Sequence, residues 1–431
     1  MFTSPAGRGN GEIEMTYEQR PGRWLDRLPM PVPADALLMD VARRVQLSPT
    51  KHGEAEKHYH ALCNWVDRSG SPLEGKVVTC YPGGSFATGT AIASRVKKDQ
   101  HDVDVTIELN ISPSSDPATI LDLLFKAING EEGTRYHGMV TRNSRCVTVT
   151  YDDGVRVDLM PIARLASHPD RAGHLFHWRE ENAESYHKPV NPWGFADLFN
   201  RETTFDPVFA AMFDARGLTM DGAFAKAETE PLPEQVPLSE KSARVVALQL
   251  IKRNRDVRYR HRQGRKPPSV VLAALALEVA PTGGGLADEM ISIASHISTR
   301  LRDEGRSGRL LTVTNPSYVP DVFTDRWPAK LDEQSLYVQD LAHLSRQLRR
   351  LQEADISLTE MKLILDDLFG ETAASFALDE LLTRSQAEAE KGALRFGPTG
   401  RIVTAAASTV VLAISTPARA STQMGGGCIP D

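Results

Sequence analysis

Three aspartates, placed in two short runs of this 431-residue chain, are the residues whose types and spacing could do chemistry together. Asp102-Val103-Asp104-Val105 alternates acid with β-branched residue and reads as a strand. Residues two apart on a strand share a face, so both carboxylates point the same way. Such a pair repels itself unless a hard cation with a taste for oxygen lies between. Asp158 lies in Val155-Arg156-Val157-Asp158-Leu159-Met160, the second arm of a hairpin predicted around Asp152-Asp153-Gly154, with Arg145 to Tyr151 as its first arm. A neighbouring strand could bring this third acid to the other two. Upstream, Gly83-Gly84-Ser85-Phe86-Ala87-Thr88-Gly89-Thr90 is a small-residue turn whose backbone N–H groups could lie against a polyphosphate. Three carboxylates beside such a turn suit two magnesium ions about 3.5–4 Å apart, which would activate an attacking hydroxyl and neutralise a leaving pyrophosphate. Singly, Asp102 and Asp104 read as the wet face of a strand and Asp158 as a charge near a turn. Taken with the turn, the metal site is the better account.

These residues resemble the motif of the DNA polymerase β-type nucleotidyltransferase superfamily: a Gly-Ser turn, Asp-x-Asp, then a distant Asp. More narrowly, Gly84 to Thr90 with Asp102 to Val105 resembles the CD-NTases, bacterial relatives of cyclic GMP-AMP synthase found in the anti-phage systems called CBASS. The interval from Ser85 to Asp102 is longer than the superfamily minimum, with Arg95 to Gln100 as a polar excursion. The resemblance implies an α+β fold: a nucleotidyltransferase core of mixed sheet flanked by helices, a C-terminal helical domain, and a cleft between the two lobes. It implies Asp102, Asp104 and Asp158 as catalytic metal ligands, and Gly84 with Ser85 as the phosphate cradle. Leu248 to Asp256 resembles the helix that carries a lysine to the triphosphate, and Pro267 to Leu272 the segment that brings a serine, so Lys252 and Ser269 are carried over as donor-phosphate contacts. Asn315-Pro316, Phe323 to Trp327, Phe369-Gly370-Glu371 and Phe376 to Leu382 match further segments, so the likeness covers roughly residues 35 to 385. What it implies is an enzyme joining nucleoside triphosphates into a cyclic di- or oligonucleotide with two magnesium ions (manganese as the alternative). Its implied partners are regulatory or C-terminal-conjugating CBASS proteins, and an effector reached through the product.

The elements that must position these groups can be read in order. Met1 to Gly22 has no apolar core, which predicts a flexible N-terminal segment over 1–33 and no signal peptide. Ala34 to Val45 and Gly53 to Val66 carry helical apolar stripes, and Val77 to Tyr81 reads as a strand leading into the glycine turn. Asp116-Pro117 opens a helix that ends near Gly130. Beyond Pro161 the chain reads as loop-rich, with His168, His174, His177 and His187. The spacing of His174 and His177 could suit a metal, but no cysteine lies nearby, and surface or nucleotide-lid histidines are the better account. Trp178 and Trp193-Gly194-Phe195 are expected to cover a core edge. Pro231 to Pro237 marks a junction. The expected division is a core over 34–235, a helical domain over 236–385 and a flexible tail over 386–431.

Composition narrows the partners. With 41% hydrophobic residues the chain can bury one large core or two ordinary ones, and a net charge of −6 gives no overall basic field. Yet Lys241 to Lys266 gathers ten basic residues against Asp256 alone. Two accounts compete: a solvated helix face, or a surface for triphosphates or an RNA backbone. Four scattered cysteines, Cys63, Cys80, Cys146 and Cys428, predict reduced thiols and a cytoplasmic protein. Ile402 to Ile414 is too short for a membrane span, and Cys428 to Asp431 makes a poor prenylation box. Three functions stay open: the cyclic-oligonucleotide synthase, an RNA 3′-end nucleotidyltransferase or template-independent polymerase served by the basic run, and a silent nucleotide-binding scaffold. Base choice, linkage and ring size are not written in the sequence.

Overall fold

Alternation builds the centre of the molecule. In the computed structural model, which describes residues 34–93, 101–206, 209, 236–353, 355–390, 394–396 and 402–404, strand β2 (His101–Leu109) turns Val103, Val105, Ile107 and Leu109 into the core and Asp102 and Asp104 to the other face. Each such buried aliphatic stabilises the sheet by about 1.5–3 kcal/mol. β1 (Val77–Pro82) runs antiparallel to β2, and β5 (Val155–Arg164) pairs with β2 in parallel along its whole length. β5's opposite edge is shared: β4 (Val147–Thr150), itself paired with β3 (Val140–Arg142), takes the first half, and β6 (Gly173–Arg179) takes the second. β7 (Glu184–Val190) completes a seven-stranded mixed sheet beside β6.

Helices α1 (Ala34–Val45) and α2 (Pro49–Val66) open the described chain, and α3 (Gly84–Ala87) is the short turn after β1. α4 (Pro117–Asn129) follows, capped by the Asp116 side chain on the N–H of Thr119 at 2.9 Å with Pro117 in the first turn. α2 and α4 cover the apolar side of the sheet through Tyr59, Leu62, Leu124 and Ile128. α2 starts earlier than its apolar stripe because Ser48 accepts from Lys51 N–H and Pro49 is compatible with a first turn.

The second lobe is helical. α6 (Ala243–Arg258), counted after α5 (Pro192–Glu202), runs through its middle, packed by α1, α7 (Ser269–Leu277), α8 (Leu286–Arg306), α9 (Leu331–Leu351) and α10 (Leu358–Phe369), and α11 (Glu371–Glu390) lies on α1 and α10. A two-stranded ribbon, β8 (Thr314–Asn315) with β9 (Tyr318–Val322), lies beside β7. Packing does not follow chain order. Leu37, Leu38 and Val41 of α1 and Phe195 and Phe199 of α5 lie in the helical core, so a division at residue 236 leaves both elements across the line.

Two expectations are corrected, and others fall outside the described residues. The stretch beyond Pro161, expected to be loop-rich, holds most of β5's second half, β6 and β7, and in β6 the consecutive Leu175, Phe176 and His177 are all buried. Part of the stretch expected to be flexible from residue 386 is regular: α11 continues to Glu390, and β10 (Leu394–Phe396) pairs antiparallel with β11 (Ile402–Thr404). The N-terminal segment 1–33, the excursion 95–100 and the remainder of the tail lie outside the described residues.

Candidate active site

The β2–β5 ladder sets the site. Asp104 is in register with Asp158, and Asp102 with Arg156. Partners in a parallel ladder point to the same face, and adjacent strands lie about 4.8 Å apart, so all three carboxylates share one face. Each has its own donor. Asp104 accepts from the Ser85 backbone N–H. Asp158 accepts from the Thr148 hydroxyl, which in turn accepts from Asn143 Nδ2 at 2.7 Å. Asp102, open to solvent, lies 3.7 Å from Arg156 Nη1.

Crowding shapes the charge. Asp104 opens onto solvent on one side, but protein packs around the rest of it. That desolvation, with the nearby Asp158 and Asp102, pushes its carboxyl up to about 7. Burial also raises Asp158, while the Thr148 hydrogen bond pulls the other way. The Cys146 thiol is pushed up to about 12 by burial and by the same two acids, which keeps it protonated and unreactive.

The glycine turn folds against the strand it serves. Gly83 N–H donates to Asp104 O at 2.8 Å, Thr90 N–H to Ser85 O at 2.9 Å, and the Thr88 hydroxyl to Gly84 O at 3.1 Å. Phe86 anchors the turn in the sheet core. Gly84 has φ +52°, and a Cβ there would meet Asp104 Oδ2 at 1.9 Å. Only glycine allows both that backbone and that approach.

The two carried-over helical residues are engaged within the protein. Lys252, 4% exposed, donates to Thr90 O at 2.7 Å and Thr90 Oγ1 at 3.3 Å. Burial first, then Arg255, lowers its amine to about 7, with Asp256 and Asp104 opposing. Ser269, at the first position of α7, accepts from Arg255 Nη1 at 3.1 Å. The structure thus gathers Asp102, Asp104, Asp158, Gly84 and Ser85 at one point, with Lys252 behind the turn and Ser269 tied to the arginine that crowds it.

Does this set suit divalent cations? Among the described residues no three acid, histidine or cysteine side chains already close into a metal cage. Arg156 and Thr148 hold two of the acids to other partners. The donor chemistry nevertheless fits: oxygen-only ligands on one face, with Asp104 and Asp158 both raised by burial and then by the neighbouring carboxylates, which the opposing Lys252 and Arg156 do not offset.

Most of the basic run is neither a solvated face nor a nucleic-acid surface. Arg244 meets Glu289 at 3.0 Å, Arg253 donates to Phe369 O at 2.8 Å, Arg255 to Pro267 O at 2.8 Å, Arg258 to Asp367 at 2.5 Å, and Arg262 grips Asp340. These cations neutralise acids and satisfy carbonyls inside the helical lobe. Among the described residues the histidines belong to no group of three or more His, Cys, Asp or Glu side chains that could hold a metal ion. His174 Nδ1 is 3.2 Å from Pro113 O, and His177 stacks on Tyr186 and accepts from Arg145 Nε at 2.9 Å. Trp178 lies under Arg142, and Trp193 packs on a small apolar cluster of Tyr81, Ile162, Leu175 and Val190. Thr148 was missed by motif reading. Counting outward from Asp152-Asp153-Gly154 along the hairpin finds it, since Thr148 is the antiparallel partner of Asp158.

Comparison with known proteins gives consistent findings. A family model for the Second Messenger Oligonucleotide or Dinucleotide Synthetase domain matches residues 30–191. The cyclic dinucleotide synthase CdnG of Bradyrhizobium diazoefficiens is 33% identical over 406 residues, covering 92% of this chain and 96% of that protein. A solved structure of the Bradyrhizobium diazoefficiens CD-NTase CdnG in complex with GTP matches with TM-score 0.67 at 32% identity, covering 81% of this chain and 98% of that one. The c-di-GMP synthase of Roseivirga ehrenbergii is 23% identical over 344 residues, covering 77% of this chain and 83% of that protein. In the E. coli MS115-1 CdnC:HORMA-deltaN complex the matching chain shares the fold, with TM-score 0.54 at 16% identity, over 79% of this chain and 98% of that one.

Proposed function

The chain belongs to the family of second-messenger oligonucleotide or dinucleotide synthetases, the CD-NTases, and we propose that it condenses nucleoside triphosphates, GTP among them, into a cyclic dinucleotide. The observation that most supports this reading is the register of Asp104 against Asp158 beside the Ser85 amide. The choice of GTP rests on the relative solved in complex with it.

Asp102, Asp104 and Asp158 are the residues that would hold two divalent cations, magnesium or manganese, with Asp158 a ligand of one of them. Bound there, the cations supply charge neutralisation at the α-phosphate and a lower pKa for the attacking ribose hydroxyl. The protein's own part is placement. The Gly84 N–H and the half-buried Ser85 hydroxyl take the β- and γ-phosphates, which fixes the α-phosphorus for in-line attack. Thr148 fixes the Asp158 carboxylate through its hydrogen bond. Lys252 adds positive potential behind the turn, and Ser269 closes from the helical side. The ribose hydroxyl forms a bond to the α-phosphorus as the bond to pyrophosphate breaks, and a second such displacement on the linear intermediate closes the ring.

The product serves anti-phage signalling in the host cytoplasm, with a regulatory protein partner and an effector that binds the cyclic nucleotide. The test is incubation of the purified protein with all four labelled triphosphates and magnesium, then phosphatase treatment and mass spectrometry. A phosphatase-resistant cyclic dinucleotide containing guanine is expected. Lengthened RNA, or no turnover with an activating partner present, overturns the reading.

A further inference from the structure

Residues 89–93, which leave the glycine turn, are bound residue by residue to the helical lobe. Lys241 Nζ donates to Gly89 O at 3.3 Å, Lys252 Nζ to Thr90 O at 2.7 Å, and Gln249 Nε2 to Ala91 O at 2.9 Å. Ile92 bridges Gln46, just past α1, and Ala93 N–H donates to Val45 O at 2.8 Å. The three side-chain donors come from α6 or the residues leading into it, and all are buried: Lys241 at 8%, Gln249 at 1% and Lys252 at 4% exposure. Buried amines and amides cost free energy unless a partner meets them, and here three successive main-chain carbonyls are those partners. Within the turn, Thr90 N–H holds Ser85 O at 2.9 Å. The near end is fixed to the sheet by Gly83 on Asp104.

We propose that Lys241, Gln249 and Lys252 are positioning residues: together they fasten strap 89–93 to the helical lobe and thereby set where the Gly84–Ser85 cradle stands relative to Asp104. The cradle is suspended between two supports, β2 on one side and α6 on the other. Any shift of α6 against the sheet is carried along the strap to the donor phosphates. This assignment deepens the function proposed above and rests on it. It gives Lys252 a structural partner, Thr90, besides the phosphate role carried over from the family.

The test pairs Lys241→Met with Gln249→Met, each near in volume and lacking the donor, and reads hydrogen–deuterium exchange together with steady-state kinetics. Amides of residues 84–90 should exchange about tenfold faster or more while those of β2 and β5 stay within about twofold. The kcat should fall about 10- to 100-fold with KM for GTP within about threefold, as expected when reacting groups are misplaced without loss of binding. Gln249→Met alone, which keeps both lysines, should show the same pattern at about threefold size and serves if the double variant does not fold. Unchanged exchange over 84–90, equal acceleration in β2, or an unchanged kcat overturns the proposal. If the wild-type protein makes no cyclic product, the functional reading fails separately, and the exchange measurement still decides the strap.

Discussion

Asp104 and Asp158 stand opposite each other in the parallel β2–β5 ladder, the first held by the Ser85 amide and the second by the Thr148 hydroxyl. Two acids held this close are better suited to a cation than to an empty fold. Asp104→Asn should therefore reduce product formation by at least about 10²-fold. In metal-free buffer it should melt no lower than the wild type, because it removes a repulsion. A clear loss of metal-free stability would mean Asp104 is chiefly a structural residue.

The same crowding fixes a sign for pH dependence. Asp104 is raised from 3.8 to about 7, so between those values the folded chain keeps a proton that the unfolded chain has released. Stability from this group is complete below pH 3.8 and is lost as pH rises to about 7. Metal-free wild type should lose melting temperature relative to Asp104→Asn across that interval, and parallel curves would contradict it. Lys252 and Lys241, lowered by burial to about 7 and about 8, contribute with the opposite slope above those values, so the comparison belongs below 7.

Gly84 offers a test of geometry. Gly84→Ala brings a methyl to 1.9 Å from Asp104 Oδ2 as well as an unfavourable φ of +52°, whereas Gly75→Ala meets nothing within 4 Å at φ +67°. Gly75→Ala should cost about 1 kcal/mol of stability and leave turnover within about twofold. Gly84→Ala should cost about 1–3 kcal/mol and lower kcat/KM by about 10²-fold or more. Thermal melts and initial rates on both variants separate backbone strain from the collision.

In the helical lobe, Arg244 and Glu289 form a buried pair at 3.0 Å, with Thr282 N–H and hydroxyl on the other carboxylate oxygen at 2.9 and 3.0 Å. Arg244→Met strands the carboxylate and should cost about 3–5 kcal/mol in urea unfolding. A loss under about 1 kcal/mol would show that water reaches Glu289.

The sequence was most legible where its period was plain. Alternation around Asp102 and Asp104 placed their carboxylates on one face, and the hairpin signal at Asp152-Asp153-Gly154 brought Asp158 to a neighbouring strand. Reading failed where local pattern does not encode depth. Arg253 and Arg255 look like surface charge in a helix, but α6 passes through the middle of its lobe and its arginines serve carbonyls of Phe369 and Pro267. His174 and His177 disguised β6 because polar residues held by Pro113 O and Arg145 break the apolar rhythm without breaking the strand. Strap 89–93 begins in the last two residues of the turn motif, but its attachment to the helical lobe has no local signal, since its partners lie about 150 positions further along the chain or back at α1.

The placement of α1 has a practical outcome for anyone who would take the protein apart. Leu37, Leu38 and Val41 fill the helical core although they precede the sheet in the chain. A fragment begun at residue 236 would expose the seat those side chains occupy, and its complement would present an unsheltered apolar helix. Splitting the enzyme at residue 236 into independently made halves should yield aggregates, and sending residues 34–45 with the helical piece restores only part of the seat because Phe195 and Phe199 stay behind.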